Sequence, residues 1–380
     1  MKNTTQLSAL LYAVAIGTLC IRSACAQIPD TALAEGTSNF RVAIVGLVHG
    51  HVRGMPPRFN DRLGLKLVGI AEQDARVAKT FAARHALDPR LFYADVDEML
   101  RKTAPQAVMV FTNTYDHRKV IEACARYRVS VMVEKPLATT VEDAHAIRAA
   151  AGRAGIQVLV NYETTWYPSN VAAHKLIHEG VIGGVTKIIV NDGHNGPKEI
   201  GVDPEFLGWL GDPKLNGGGA LFDFGCYGAS LSTWLLDGQR PRTVTAIAQQ
   251  FKPESYPLVD DECTIVLAYD KAQTIIHASW NWPFPRKDLE VYGQSGYVIV
   301  PNRVELRVRY ATEKAERLIV PLSLKSPHND PIEHLRAVVV EKAEPNALSA
   351  LETNILVVEI LDAARRSAAS GQTVKLPRVP

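Results

Sequence analysis

Three side chains that are able to take part in proton transfer lie in two short segments of the sequence. Glu134-Lys135-Pro136 ends a strongly apolar run, and Asp223 and Tyr227 follow the three glycines of the segment 216–227, NGGGALFDFGCY. Amines, carboxylates and phenols accept and donate protons in enzymes. Recognition of a ligand hydroxyl and transfer of its proton require groups of this kind. The two segments therefore predict a catalytic site made of Lys135, Asp223 and Tyr227.

The segment Glu134-Lys135-Pro136 has a position that is typical of ligand-binding residues. Side chains at the carboxyl edge of a parallel sheet point into the crevice where ligands bind, and a proline keeps the preceding residue out of the helical region. Lys135 is therefore expected to point into such a crevice. An ordinary ion pair at the end of a strand is the alternative, and this segment alone does not decide between the two.

The glycine-rich segment is expected to open a helix that continues into SLSTWLL. Residues four apart share one face of a helix, so Asp223 and Tyr227 are predicted to point at the same ligand. A phenol with a reference pKa of about 10 becomes a base near pH 7 only if a cation favours its anion. Lys135 is the candidate cation, and Asp223 would orient substrate hydroxyls or share the base role. The alternative is that Asp223 caps the helix and Tyr227 packs in the core.

The turn after the first predicted strand contains part of a dinucleotide-binding fingerprint. It reads Gly46-Leu47-Val48-His49-Gly50-His51, in which Gly46 fits the tight turn and Val48 and His51 occupy the second and third glycine positions. Glu72 closes the second strand about 26 residues after Gly46, near the spacing at which an acidic residue receives the ribose hydroxyls and disfavours a 2′-phosphate. The turn and Glu72 therefore predict NAD binding, with NADP as the less favoured alternative.

Two other polar groups have a structural and a functional interpretation. His49 and His51 suggest a metal site, but two histidines two positions apart fall short of a complete set of ligands. We expect no metal there, and expect the histidines to cap the following helix or to contact the cofactor phosphates. The turn His194-Asn195-Gly196-Pro197 precedes the glycine-rich segment, and it either faces the substrate or forms a surface loop.

The pattern of apolar residues predicts a chain with two halves. Short apolar strands alternate with helix-period segments at 41–162, which indicates βαβ units and a parallel sheet. Later strands follow one another with turn residues between them, which indicates a largely antiparallel sheet. The predicted fold class is therefore α/β followed by α+β, with a Rossmann dinucleotide-binding domain at 39–162. A substrate and oligomerisation domain at 163–380 ends in a helix near 347–370.

The N-terminus has the pattern of a secretory signal. Lys2 precedes an apolar run at 7–21, and Ala24-Cys25-Ala26 offers a small-residue cleavage site. The run is shorter than the roughly 20 residues that a bilayer span needs. We therefore predict a cleaved signal over 1–26, a periplasmic or secreted protein, and no stable membrane anchor. Cleavage lowers the number of basic residues from 42 to 40, against 40 acidic residues, and this balance argues against a nucleic-acid partner.

Together these segments resemble the Gfo/Idh/MocA oxidoreductases over essentially the whole mature chain. The resemblance implies a Rossmann domain that holds NAD or NADP, joined to an open-faced sheet that presents a sugar or cyclitol to the nicotinamide. Lys135 and Asp223 match the lysine and aspartate of the family. Many members carry a histidine at the position of Tyr227, and a tyrosine there resembles the glucose-fructose oxidoreductase type. The resemblance rests on Gly46, Glu72, the turn Thr112-Asn113-Thr114 with His117, Glu134-Lys135-Pro136 and GGGALFDFGCY.

The resemblance also assigns further site residues. Implied cofactor contacts are Thr112, Asn113, His117, Glu134 and Lys135, in addition to Glu72 and the turn residues Gly46, Val48, His49, Gly50 and His51. Implied substrate contacts are Tyr162, Trp166, Asp223 and Tyr227, and the position of the turn before the glycine-rich segment adds His194 and Asn195 as further candidates.

Export restricts the chemistry, because a nicotinamide enzyme outside the cytoplasm has no ready pool with which to exchange its cofactor. We therefore expect retained NAD and a redox-neutral cycle in which one sugar is oxidised and another reduced. A glycoside hydrolase or lyase with transient oxidation by bound NAD is one alternative, and a binding protein without cofactor, suggested by Val48, is another. A large half-exposed sheet also predicts a homo-oligomer, either a dimer or a tetramer.

Overall fold

The computed structural model describes residues 39–60 and 64–377. The predicted signal, residues 1–26, lies outside the described residues. Within the described part of the chain, no helix combines the length and the hydropathy needed to cross a membrane.

Six strands of the described chain form a parallel sheet, as predicted. They are β1 Phe40–Val45, β2 Leu65–Ala71, β3 Phe92–Tyr93, β4 Ala107–Val110, β5 Ser130–Glu134 and β6 Val158–Asn161. Their order is β3-β2-β1-β4-β5-β6, which is the order of a dinucleotide-binding Rossmann sheet. The crevice for a ligand opens between the carboxyl ends of β1 and β4, because the chain winds in opposite directions on either side of that point. The helices of this half are α1 Pro56–Asn60, α2 Ala75–Arg84, α3 Val96–Thr103, α4 His117–Arg126 and α5 Val141–Ala154.

A second, mainly antiparallel sheet follows, again as predicted. The nine strands seen in the described region are β7 Val185–Gly193, β8 Thr243–Gln249, β9 Glu262–Ala268, β10 Gln273–Ser279, β11 Arg286–Gly293, β12 Gly296–Asn302, β13 Glu305–Tyr310, β14 Arg317–Ile319 and β15 Val374–Lys375. Their order is β14-β13-β12-β11-β7-β10-β9-β8-β15. β7 and β10 pair in parallel, whereas β7 and β11 are antiparallel. The helices of this half are α6 Pro168–His178, α7 Pro204–Leu210, α8 Pro213–Asn216, α9 Ala220–Asp223, α10 Gly225–Leu235, α11 Pro331–Val340 and α12 Leu351–Ser370.

The last helices return to the first sheet. Ile332, Leu335 and Val338 of α11 are buried in the same apolar cluster as Ile44 of β1. α12 packs against α5 of the first half as well as against α10 and β8 of the second. The predicted domain boundary at residue 162 marks the end of the first sheet, but residues after it also complete the packing around that sheet.

Candidate active site

The centre of the site is a buried ion pair between Lys135 and Asp223. Lys135 follows β5, and its Nζ lies 2.5 Å from Oδ1 of Asp223 and donates to the Asp223 carbonyl oxygen at 3.0 Å. Both side chains are 7% exposed. Nε1 of Trp280 donates to the other carboxylate oxygen at 3.0 Å. The pair therefore joins the edge of the Rossmann sheet to the glycine-rich segment of the second half.

Burial and pairing act in opposite directions on these two groups. Burial lowers the pKa of Lys135, but the Asp223 carboxylate outweighs it, so the pKa of Lys135 is raised above its usual value. Burial raises the pKa of Asp223, but Lys135 outweighs it, and the pKa of Asp223 is lowered below its usual value. The two groups are therefore an ammonium and a carboxylate at neutral pH.

Asp223 and Tyr227 do not share one continuous helix, which corrects the sequence prediction. Asp223 ends α9, Phe224 separates the helices, and Tyr227 lies in the first turn of α10. In a continuous helix the Asp223 carbonyl would accept from the Tyr227 amide. It accepts from Lys135 Nζ instead, and the Tyr227 amide donates to the Phe224 carbonyl. The contact with Lys135 therefore lies at the break between α9 and α10, with Asp223 on one side of the break and Tyr227 on the other.

Tyr227 is 2% exposed. Two ammonium groups lie over the face of its ring. Lys135 Nζ lies 5.2 Å and Lys287 Nζ 4.6 Å from the ring centroid. Burial raises the pKa of Tyr227 well above its usual value, and the carboxyl of Asp192 adds to the shift. The prediction that Lys135 makes this phenol a base near pH 7 is therefore wrong. A phenol that keeps its proton can donate a hydrogen bond to a ligand oxygen.

The first turn of the Rossmann half has the geometry that a dinucleotide requires. Gly46 has a φ of 81°, and a Cβ there would lie 2.5 Å from Cγ2 and 2.7 Å from the backbone nitrogen of Thr112. Glu72 follows β2, and its Oε2 accepts from the Leu47 amide at 2.9 Å. Val48, which replaces a glycine of the fingerprint, packs against the core. Gly46, Glu72 and Thr112 therefore meet at the switch point of the sheet, and the turn fits a bound dinucleotide.

His49 and His51 meet Glu134, a third group that the sequence analysis had not placed with them as a metal ligand. One nitrogen or oxygen of each residue lies within 4.8 Å of the others. His49 Nδ1 accepts from the His51 amide at 3.3 Å, which places the ring proton on Nε2, so this nitrogen has no lone pair for a metal. As expected for a cap, His49 bonds the amide of a residue in the turn Gly50–Gly54. The geometry favours hydrogen bonding over metal binding.

Glu134 has both carboxylate oxygens engaged. Oε2 lies 3.1 Å from His51 Nδ1, and Oε1 accepts from Asn161 Nδ2 at 2.9 Å. Burial raises the pKa of Glu134, but the two histidines and these hydrogen bonds outweigh it and lower the pKa to about 2. Glu134, which is predicted to contact the cofactor, is 1% exposed and orients His51.

Two residues that follow β4, Asn113 and His117, which are predicted to contact the cofactor, also hold the surrounding backbone in place. Asn113 caps the following turn, with its Oδ1 accepting from the Asp116 amide at 3.0 Å. His117 is 1% exposed, and its Nδ1 lies 3.1 Å from the Pro136 carbonyl oxygen. Burial lowers the pKa of His117 to about 4, so the imidazole is neutral. Nδ1 carries the proton that it donates to that carbonyl, and His117 thereby fixes the turn that begins at Lys135.

A segment that we call the strap, residues 203–210 including α7, covers the dinucleotide turn. The ring centroids of Phe206 and Trp209 lie 4.8 Å and 5.7 Å from that of His49. Trp209 Nε1 donates to the Val48 carbonyl at 3.3 Å. Arg76 of α2 pairs with Glu205 at 2.8 Å, and Arg53 pairs with Asp203. About 40 Å³ of space is left between strap and turn.

Two cavities meet beside the ion pair. The first, which we call the central cavity, has a volume of about 300 Å³. The second, the outer cavity, has a volume of about 460 Å³ and shares His194, Phe224 and Lys287 with the first. Of the predicted site residues, those that line the central cavity are His49, Gly50, His51, Lys135, His194, Asp223 and Tyr227.

Three predicted substrate residues lie elsewhere. Tyr162 is fully buried beside Tyr227, with ring centroids 5.3 Å apart. Trp166 lines a separate cavity of about 380 Å³ next to His51, and its Nε1 donates to Asn161 at 3.0 Å. Asn195 is exposed, and its carbonyl accepts from Lys252. Of these two predicted turn residues, His194 therefore lines the central cavity, whereas Asn195 lies in an exposed loop.

Comparison with known proteins agrees with this arrangement. Residues 40–162 match the Gfo/Idh/MocA oxidoreductase family with its NAD-binding Rossmann fold, and residues 170–299 match the Gfo/Idh/MocA C-terminal domain. The chain belongs to the Gfo/Idh/MocA family. It is therefore an NAD(P)-dependent oxidoreductase, and its first sheet is the NAD-binding domain.

Several relatives in this family have names that describe their substrates. Trans-1,2-dihydrobenzene-1,2-diol dehydrogenase of Xenopus tropicalis is 24% identical over 308 residues, which cover 79% of this chain and 88% of the relative. The aldose-aldose oxidoreductase of Caulobacter crescentus, solved with glycerol, has a TM-score of 0.76 at 24% identity and covers 89% of this chain and 100% of its own. An inositol dehydrogenase homologue of Azotobacter vinelandii, solved with NAD⁺, has a TM-score of 0.76 at 18% identity and covers 89% and 98%.

The structure of this Gfo/Idh/MocA protein adds three residues that our sequence analysis had missed. Trp280 holds the Asp223 carboxylate, Lys287 lies over Tyr227, and Asp192 lies buried in the outer cavity. The sequence does contain a sign of Asp192. Side chains alternate between the two faces of a strand, so a strand with Ile188 and Val190 on its buried face has Asp192 on that face as well. An acidic residue in the apolar register of a strand is a site candidate that periodicity can reveal.

Proposed function

We propose that this oxidoreductase transfers a hydride between NAD and a CH–OH group of a sugar or cyclitol. The observation that carries the proposal is the buried pair of Lys135 and Asp223, which lines the central cavity at the carboxyl edge of the NAD-binding sheet. Relatives named for a diol, an aldose and an inositol support a substrate with several hydroxyl groups.

The bound nicotinamide supplies the hydride acceptor, and the ion pair handles the proton. The proton of the substrate hydroxyl passes to the pair: as Lys135 receives it, the Lys135 ammonium gives one of its own protons to the Asp223 carboxylate across their 2.5 Å contact. The pair therefore stays an ammonium and a carboxylate until the substrate proton arrives, and it gains one proton for each hydride that leaves the substrate. Trp280 keeps the carboxylate aligned during this exchange.

Two further residues would hold the substrate oxygen in place. Tyr227 keeps its proton, since burial raises its pKa, and its phenol would donate to the reacting oxygen. Burial lowers the pKa of His194, and its Nδ1 accepts from the Gly196 amide at 2.9 Å. The proton of this neutral ring is therefore on Nε2, which can donate to a substrate hydroxyl.

We also propose that NAD stays bound between turnovers and that the protein is exported. The strap supports slow exchange and hence retention, because about 40 Å³ is too little space for a dinucleotide to pass between strap and turn, so the contacts of Phe206, Trp209 and Glu205 must open before it can enter or leave. The signal-like pattern at residues 1–26 supports export. An exported enzyme with retained NAD would oxidise one polyol and reduce a second carbonyl compound in turn.

A homo-oligomer is part of the same proposal. Leu318, Val320 and Leu322, in and just after the edge strand β14, are apolar side chains that are 61%, 69% and 91% exposed. Exposed apolar residues that cluster in one segment favour contact with a second copy. Light scattering of the purified protein measures the mass in solution, and a monomer would contradict this part.

One experiment tests the central proposal. Protein purified without added cofactor is denatured, and the dinucleotide it releases is quantified by chromatography. Native protein is then mixed with aldoses, inositols and cyclic diols while the NADH absorbance is followed. We expect near-stoichiometric NAD and a rise in absorbance with at least one polyol. The absence of any change with every polyol, in protein loaded with NAD, would refute the proposed function.

A further inference from the structure

Asp192 is a buried carboxyl whose hydrogen-bonding capacity is unused. Its side chain is 2% exposed, and its Oδ1 has no hydrogen-bond partner among the residues that the structure describes. Leaving a buried polar group without a partner costs free energy, so such groups are rare and need an explanation. A ligand that completes the missing hydrogen bond is one such explanation, and the surroundings of Asp192 point to it.

The position of Asp192 on β7 turns its side chain towards the catalytic residues. Ile188, Val190 and Asp192 alternate along one buried face of the strand, and α10, which carries Tyr227, packs on β7. Lys287 is the partner of Asp192 in the register with β11. The Lys287 ammonium, however, bonds Glu163 Oε2 at 2.6 Å. The ammonium next to Asp192 is therefore already engaged by another carboxylate.

Asp192 lines the outer cavity, and the outer and central cavities share several lining residues. His194, Phe224 and Lys287 border both. A molecule whose reacting carbon lies at Lys135 and Asp223 therefore has Asp192 within the neighbouring compartment. The outer cavity is large enough, at about 460 Å³, for the rest of a small polyol.

The chemistry of the surroundings selects the kind of donor that Asp192 can receive. The ammonium groups of Lys287 and Lys135 and the carboxylates of Asp223 and Glu163 act on Asp192 in opposite directions, so the surroundings carry no excess charge that would select an ion. A neutral O–H donor needs no such charge. Burial also raises the pKa of Asp192 well above its usual value, and a carboxyl in either protonation state still has a carbonyl oxygen that accepts from a hydroxyl.

We propose that Asp192 accepts a hydrogen bond from a second hydroxyl of the substrate, and that the enzyme thereby selects polyols over simple alcohols. This inference rests on the proposed function, since it names a contact of the same substrate. It assigns the outer cavity to the non-reacting part of the substrate.

The test compares substrates that differ by one hydroxyl. The value of kcat/KM is measured with trans-1,2-cyclohexanediol and cyclohexanol, and in parallel with myo-inositol and D-glucose, for NAD-loaded wild type, D192A and D192N. We expect the wild type to prefer the diol to the alcohol by roughly 10- to 100-fold, the usual effect of a hydrogen bond to a charged or buried group. D192A should lower this preference to about twofold and leave the cyclohexanol value nearly unchanged. D192N, which keeps a carbonyl oxygen, should retain part of the preference.

The matched control is E290Q. Glu290 lies on β11, three positions along from Lys287, it is not among the residues that line the central or the outer cavity, and its carboxylate accepts from the Tyr292 hydroxyl. The preference of this control variant for the diol over the alcohol should equal that of the wild type. Circular dichroism and NAD content check that each variant is folded and loaded, and D192N, with its unchanged shape, covers the case in which D192A does not fold.

The outcomes are distinct. An unchanged diol preference in D192A would overturn the inference and leave the proposed function standing. An equal loss with diol and alcohol would also overturn it, because Asp192 would then act on the reacting hydroxyl. A wild type that oxidises no compound of the panel would overturn the proposed function, and this inference with it.

Discussion

Replacing Lys135 by methionine tests the central pair most directly. K135M removes the ammonium but leaves the Asp223 carboxylate buried, with Trp280 Nε1 as a donor. Removal of one partner of a buried ion pair costs about 3 to 5 kcal/mol, whereas replacement of both partners by neutral groups is often close to neutral. The double variant K135M/D223N should therefore be more stable than K135M by roughly 3 kcal/mol. Urea unfolding followed by circular dichroism measures the difference.

The pH dependence of K135M follows from the same carboxyl. In the wild type, the pKa of Asp223 is lowered in the folded state, so its contribution to stability is present above the unfolded pKa and is lost as the pH falls. Without Lys135, burial raises the folded pKa above the unfolded value of about 3.9. The folded state then binds the extra proton, and K135M loses stability as the pH rises through the raised pKa. The defect should be larger at pH 8 than at pH 5.

Activity gives the second readout. Loss of a group that moves the proton should lower kcat by about 100- to 10,000-fold, with the NAD content unchanged, because Lys135 bonds Asp223 rather than the dinucleotide turn. Equal stability of K135M and K135M/D223N at both pH values, or a kcat within about tenfold of the wild type, would refute our interpretation of the pair.

Three other predictions concern the glycine-rich segment, the cofactor and the strap. Gly219→Ala should abolish activity and lower the melting temperature, because the new Cβ would lie 1.7 Å from the backbone oxygen of Asp260. Gly208→Ala is the control, because its new Cβ meets no atom within 4 Å, and it should change neither the activity nor the melting temperature. Glu72→Ala should weaken NAD binding by about tenfold and reduce the preference over NADP, as measured by fluorescence titration; an unchanged ratio of the two affinities would contradict the assigned role. Phe206→Ala should speed NAD release at least about tenfold in a dilution assay with an NAD-consuming trap. An unchanged release rate would show that the strap does not retain the dinucleotide.

The sequence was sufficient for the fold because the signals of its strands are local. The buried parallel strands read as continuous apolar runs and the later strands alternate, so both sheets follow from periodicity. The Gly46 turn, Glu72 and Lys135 could be placed at one sheet edge, because the carboxyl ends of parallel strands meet there. Lys135 and Asp223 then form a pair across 88 residues.

The errors concern contacts between distant segments. The prediction of one helix face for Asp223 and Tyr227 was wrong, because Lys135, far away in the chain, takes the carbonyl that would have continued the helix. The strap was missed because its helix, Pro204–Leu210, is too short to give a clear periodic pattern, and its contacts with His49 join segments that are far apart in the sequence. The sequence also gave no sign that Glu163 would engage Lys287, which leaves Asp192 without that partner.

The return of α11 to the first sheet has a consequence for the order of folding. Arg58 and Asp330 bond at 3.0 Å although 272 residues separate them, and α11 fills the same apolar cluster as β1. A nascent chain that has produced the whole Rossmann sequence still lacks this helix, so one apolar surface of that sheet stays open until synthesis is nearly complete. Contacts of such high sequence separation form late and slowly. The nucleotide-binding half therefore cannot bury this surface until α11 has left the ribosome.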